Sequence, residues 1–160
     1  SLEDEEIGFP HFYSITYEKA SQKLLMAGEL GFLASSSDFG ENWQKIESPY
    51  HGSFFNIEAL PNSELLVMGL RGHLYRSADM GKSWLELETR TTSGLQESII
   101  LADNKLLIVG SDGTLLLSED LGQSFRLIQR SDRVHLANAV QLQNKTVLLV
   151  GIGGVIKTKL

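Results

Sequence analysis

At 160 residues and 42% hydrophobic, the chain is long enough to bury a core and short enough for about one domain. A net charge of −6 speaks against a nucleic-acid partner, which would call for a basic face, and the lack of cysteine removes disulfide frameworks and thiolate metal sites. The most apolar stretch, Val147 to Ile156, is too short and too glycine-rich to span a bilayer. The chain opens at Ser1 rather than Met, so removal of upstream sequence, with any targeting signal in it, is expected.

One unit is written four times. Gly28, Gly69, Gly110 and Gly151 fall 41 residues apart, as do Gly31, Gly72, Gly113 and Gly154. Between them recurs Ser-x-Asp-x-Gly-x-x-aromatic: Ser36, Asp38, Gly40, Trp43; Ser77, Asp79, Gly81, Trp84; Ser118, Asp120, Gly122, Phe125. A period in this range marks a repeat architecture, and the fold has to be argued from the repeat unit.

Taken in chain order, Leu2 to Ile7 falls in the register of an outer strand and includes the acidic run Glu3-Asp4-Glu5-Glu6. The first copy then offers Lys23 to Ala27 and Phe32 to Ser36 as second and third strands. The second copy is the clearest. Phe54 to Leu60 alternates, Pro61-Asn62-Ser63 turns, Glu64 to Met68 is a short apolar run, His73 to Ser77 alternates, and Trp84 to Glu88 alternates again. The third copy repeats this with Lys105 to Val109 and Thr114 to Ser118. The fourth supplies strands near Leu136 to Leu142, Lys145 to Val150 and Val155 to Lys159, and stops before any Asp turn. No segment has sustained helical spacing.

Four short antiparallel strands per 41 residues predict an all-β fold, a β-propeller of four-stranded antiparallel blades, with about four blades in this chain. The blades are expected at about 11–48, 53–89, 95–130 and 135–160, in one repeat domain over 1–160. Leu2 to Ile7 (residues 2–7) is expected as a closing strand that completes the last blade and removes two open edges. Four blades left open would bare an apolar face at each end. A closed four-blade ring, a piece of a larger ring, or two chains pairing head to tail as a homodimer would each cover them. The two-chain arrangement is the expectation.

The Ser-x-Asp-x-Gly-x-x-aromatic phrase resembles the Asp box, or BNR repeat, of sialidase-type propellers. An Asp in a turn accepts hydrogen bonds from nearby N–H groups, Gly adopts the positive φ other residues resist, and the aromatic packs across the blade. Equal residues in every blade point to a task every blade shares, so Asp38, Asp79 and Asp120 are expected to staple turns, with Trp43, Trp84 and Phe125 buried. Positions that differ between copies are free to serve a site. In a propeller the second-to-third-strand tips share a face with the connections between blades. The tips are Glu29-Leu30, Leu70-Arg71, Ser111-Asp112 and Ile152-Gly153. The connections bring Tyr50, His51, Arg90, Arg130, Arg133 and His135, and with Arg71 these form a candidate partner-binding face able to hold carboxylates or an acidic protein surface. His11, His51 and His135 would be dispersed around the blades, so neither a metal nor another cofactor is expected.

The longer phrase Gly-x-x-Gly-x-Leu-x-Arg-Ser-x-Asp-x-Gly-x-Ser-Trp, from Gly69 to Trp84, resembles the photosystem II stability/assembly factor family and its relatives in non-photosynthetic bacteria. The likeness spans all four repeats, although only the second carries the Arg-Ser pair, at Arg76-Ser77. It implies a non-enzymatic scaffold that docks a protein partner such as a membrane-protein subunit, commonly outside the cytoplasm. The alternative is a sialidase-like or carbohydrate-binding Asp-box propeller. A glycosidase of that kind needs an arginine cluster with paired acid and nucleophile. Residues 1–70 hold no arginine, and no Arg-Ile-Pro motif, phosphate loop or nucleophile elbow occurs. No catalytic residue is therefore assigned.

Overall fold

The computed structural model describes Leu2, Gly8 and residues 10–160, so the expected closing strand lies outside the described residues apart from Leu2 itself. The chain divides into two compact units, Ser1–Leu70 with Leu74–Glu86, and Arg71–His73 with Leu87–Leu160. The first unit holds two four-stranded antiparallel sheets. One is β1 (Phe12–Glu18), β2 (Lys23–Gly28), β3 (Leu33–Ser36) and β4 (Gln44–Lys45), and the other is β5 (Phe54–Ala59), β6 (Leu65–Gly69), β7 (Leu74–Ser77) and β8 (Leu85–Glu86). The second unit holds β9 (Leu95–Ile100), β10 (Leu106–Gly110), β11 (Thr114–Ser118) and β12 (Arg126–Gln129), followed by a three-stranded sheet of β13 (Leu136–Gln141), β14 (Val147–Gly151) and β15 (Gly154–Thr158). Strand order follows chain order within every sheet, and the only helical pieces among the described residues are single 3₁₀ turns. These are propeller blades, all-β and antiparallel, and the last lacks its outer strand among the described residues.

The second strand of each blade explains its glycine. In every sheet the first strand carries a bulge facing the end of the second, at Phe12/Ser14, Phe54/Asn56, Leu95/Glu97 and Leu136/Asn138. The bulge pushes a carbonyl against the glycine. A Cβ on Gly28, Gly69, Gly110 or Gly151 would lie 2.5, 2.1, 2.4 or 1.9 Å from the carbonyl oxygen of His11, Ser53, Gly94 or His135. These glycines recur because two backbones approach closely there. Each carbonyl in turn accepts the next residue's N–H, from Glu29, Leu70, Ser111 and Ile152, at 2.9–3.0 Å. The tip of every blade is thereby tied to the connection entering it.

Each unit has its own core. In the first, Leu25, Ala27 and Leu33 of one sheet pack with Phe54, Ile57, Leu65, Val67 and Tyr75 of the other. The Ser14 hydroxyl also accepts the Ile57 N–H across them, at 3.2 Å. In the second, Leu107, Val109, Leu115 and Leu117 pack with Leu136, Ala139, Val147 and Leu149. Strands β6, β10 and β11 are buried at every residue, which is why they read as continuous apolar runs.

Three expectations need correction. Trp43, Trp84 and Phe125 are equivalent but only half-buried, because they stand immediately before the outermost strand, which has a neighbour on one side alone. The outer strand read over Trp84 to Glu88 pairs only at Leu85–Glu86, and β4 is equally short. Short, charged outer strands limit the open edge. The last tip also departs from the glycine register. The first three tips are 3₁₀ turns, whereas Gly151 pairs directly with Gly154 around a two-residue turn, displacing β15 by one residue.

Candidate partner-binding site

Two kinds of turn flank each of the first three blades, and their chemistry differs. In the Ser-x-Asp-x-Gly turns the serine hydroxyl donates to the aspartate and accepts the glycine N–H. Ser36 reaches Asp38 Oδ1 at 2.7 Å and Gly40 N at 2.9 Å; Ser77 reaches Asp79 at 2.8 Å and Gly81 at 2.7 Å; Ser118 reaches Asp120 at 2.7 Å and Gly122 at 2.8 Å. The carboxylate then caps the residue four further on. It accepts both the N–H and the side chain of Asn42, Ser83 or Ser124, at 2.5–3.0 Å. Gly40, Gly81 and Gly122 have φ of 92°, 85° and 79°, which L side chains resist.

These bonds hold the carboxyls near pKa 2. For Asp38 the Asn42 N–H acts most, then the Asn42 amide and Ser36. For Asp79 the Ser83 hydroxyl leads, with its N–H and Ser77. At Asp120 burial pushes upward, and the bonds from Ser124, Ser118 and Gln123 together overcome it to leave about 2. A carboxyl so acidic, with its acceptor sites occupied, is unsuited to proton donation near neutral pH. Glu18 is similar: Ser21 and Ala20, with Ser63 across the unit, hold it at about 2.

The tips and inter-blade connections are built otherwise. Leu30, Arg71 and Asp112 occupy one tip position with φ of 52°, 58° and 56°, and Arg90 and Arg133 in the connections have φ of 57° and 52°. Such left-handed backbone costs a non-glycine residue about 1–2 kcal/mol. The preceding turn bonds hold it, and Gly31, Gly72 and Gly113 follow with positive φ of their own.

In the second unit, Arg90, Thr91, Thr92, Ser93, Asp112, Gln129 and Arg133 line an open depression of about 510 Å³. Arg133 Nη1 lies 2.7 Å from Asp112 Oδ2, both exposed, and Arg90 pairs at 3.2 Å with Glu88, also exposed. Surface pairs of this kind are worth about 0–1 kcal/mol, so both guanidiniums can exchange partners at little cost. Arg71 is exposed and makes no ion pair among the described residues. Arg130 is engaged differently. Its guanidinium grips both carboxylate oxygens of Asp132 and its N–H donates to Gly113 O at 3.0 Å, so it braces the connection. Bonding to Arg130 also holds Asp132 below the usual carboxyl range. His135 is half-buried beside the last tip.

In the first unit His51 is exposed, whereas Tyr50 packs inward, its ring 6.1 Å from Phe54 and stacked 6.5 Å from Tyr75. His11 is committed to Glu29, N–H to Oε1 at 2.8 Å and Nδ1 to Oε2 at 3.1 Å. Among the described residues no group of three His, Asp or Glu could hold a metal ion. Of the predicted face, Arg90 and Arg133 come together, while Arg130 and Tyr50 serve the framework. Gln129 and Ser93 line the depression without having been singled out, since neither breaks the pattern of its strand or turn.

Folded into these sheets and tips, the chain is a propeller-fold protein. No family model and no curated protein sequence matches it. Among solved structures it is similar to YCF48 from Cyanidioschyzon merolae, at TM-score 0.72 and 16% identity over 93% of this chain and 53% of that one. It is similar also to YCF48 bound to D1 peptide, at 0.71 and 20% over 97% and 52%, and to an ancestral GH74 enzyme, at 0.78 and 17% over 93% and 23%. At these identities the likeness establishes the propeller fold. The chain spans about half the length of the two YCF48 chains.

Proposed function

We propose that the chain is a non-enzymatic, protein-binding propeller scaffold of the assembly-factor kind, whose tips and inter-blade connections take an acidic or carboxylate-ended segment of a protein partner. The carrying observation is the depression where Arg90 and Arg133 stand among Thr91, Thr92, Ser93 and Gln129. Two exchangeable guanidiniums beside hydroxyls and an amide suit a carboxylate and an extended backbone better than an apolar ligand. The likeness to YCF48 bound to D1 peptide supports peptide recognition. The Ser-x-Asp-x-Gly turns fit the Asp-box reading, and their saturated carboxylates favour a structural task over catalysis. A membrane-protein subunit is the class of partner the sequence resemblance implies.

The test is calorimetric titration with acidic peptides, free and amidated at the C-terminus, at two salt concentrations. Binding that weakens with salt and falls about tenfold or more, about 1.4 kcal/mol, in Arg133→Ala and Arg90→Ala is expected. Arg71→Gly should weaken binding while leaving stability equal or higher, because glycine relieves the left-handed backbone. Peptide affinity indifferent to all three arginines, or glycan binding in place of peptide binding, would overturn the proposal.

A further inference from the structure

The first and last sheets each keep an apolar face uncovered. On the β13–β15 sheet this face carries Val140, Val150 and Val155, which are 52%, 36% and 67% exposed. On the β1–β4 sheet it carries Phe12 and Ile15, 39% and 58% exposed. Leu2 packs nearby on Met26, Phe32 and Ala34 and leaves both of these open.

The repeat identifies what these faces fit. Val140, Val150 and Val155 stand where the preceding sheet has Ile99, Val109 and Leu115, and those residues pack in the second unit's core with Leu136 and Ala139. In strand register, Phe12 faces Gly28 as Leu136 faces Gly151, and Ile15 faces Met26 as Ala139 faces Leu149. Phe12 and Ile15 are therefore the first sheet's counterparts of Leu136 and Ala139. The two uncovered faces are the two halves of an interface that the second unit already builds once.

We propose that they bind a second copy of this chain head to tail, the Val140–Val150–Val155 face of one copy receiving the Phe12–Ile15 face of the other. The contact is heterologous, joining unlike patches, so each copy offers both halves. This surface is separate from the arginine-lined depression, and the inference holds or fails independently of the partner proposed above.

Sedimentation of the 160-residue chain at micromolar concentration tests it. The expected species has twice the 17.7 kDa chain mass. Val150→Asp and Ile15→Lys should each give the single-chain mass while keeping a folded, cooperatively melting β spectrum whose midpoint no longer depends on protein concentration, and the surface control Gln143→Asp keeps the pair. Mixing the two variants should restore it, since one interface then joins Asp to Lys and the other is native. A wild-type chain sedimenting at 17.7 kDa would overturn the proposal. So would a pair that survives Val150→Asp, or a mixture that fails to re-form it.

Discussion

Removing one hydroxyl should cost different amounts in three turns that share one sequence. Ser77 is 1% exposed, and its Oγ accepts the N–H of Gly81, itself buried, while donating to Asp79. In Ser77→Ala the Gly81 N–H keeps no acceptor and water cannot reach it. A buried donor left unpaired costs about 1–3 kcal/mol. At about 2–4 °C per kcal/mol for a chain of this size, the melting temperature should drop by about 2–12 °C. Ser118→Ala should behave alike, because Gly122 is also buried. Ser36→Ala should cost clearly less. Gly40 is partly exposed, and solvent can replace the lost oxygen. Scanning calorimetry with urea titration reads the series, and hydrogen exchange at the Gly81 amide reports the lost bond directly. Equal losses in all three variants, or a Ser77→Ala loss below about 0.5 kcal/mol, would refute the reasoning that burial of the glycine amide sets the cost.

The acidic side chains set a pH limit. Glu18, Asp38, Asp79 and Asp120 sit near pKa 2 folded, against 3.8–4.5 when unperturbed. Their contribution is therefore complete above the unfolded values and is lost as pH falls through the folded ones; circular dichroism should show stability level above about pH 5 and declining between about pH 4 and 2. Gly69→Ala should cost at least about 3 kcal/mol in a urea titration, since its Cβ would meet Ser53 O at 2.1 Å, a carbonyl fixed by the bulge. Trp84→Ala should cost about 2 kcal/mol by the same measurement, below the 3–5 typical of a fully buried ring, because Trp84 is half-buried and holds Glu47 O by one bond of 3.2 Å.

Most of the framework was legible because it is local. Turn residues, alternation and the 41-residue count locate the strands to within a residue or two, including the three-stranded last sheet. The Asp turns were readable as staples since each bond spans four residues or fewer. The recurring glycines were visible, but their cause was not: Gly69 is extended and needed for a carbonyl sixteen positions away that a bulge pushes forward. The same limit hid the sites. Tyr50 lies in a connection, and only tertiary packing against Phe54 and Tyr75 turns it inward. Arg130 and Arg133 are three residues apart and look interchangeable. One is clamped by Asp132 and the other left exposed on Asp112. Gly154 keeps the count of its three counterparts while its turn closes differently, so equal spacing did not guarantee equal geometry.

The division of labour between repeated and unrepeated positions follows from the same backbone. Leu30, Arg71 and Asp112 occupy one left-handed tip position in three successive blades. Glycine would sit there without strain, and a glycine follows immediately in each case. The tip instead carries an apolar, a cationic and an anionic side chain, each held at an energetic cost that the flanking hydrogen bonds must offset. Nothing in a blade's own stability asks for that variety, because the bonds from Glu29, Leu70 and Ser111 to the preceding carbonyls are made by backbone and are the same in all three. The scaffold thus fixes where a side chain will stand while leaving its chemistry open. Three unlike side chains stand at one geometric position at a cost in backbone strain, whereas the Asp turns, alike in the three copies that carry them, have their carboxylates taken up by hydrogen bonds within the turn itself.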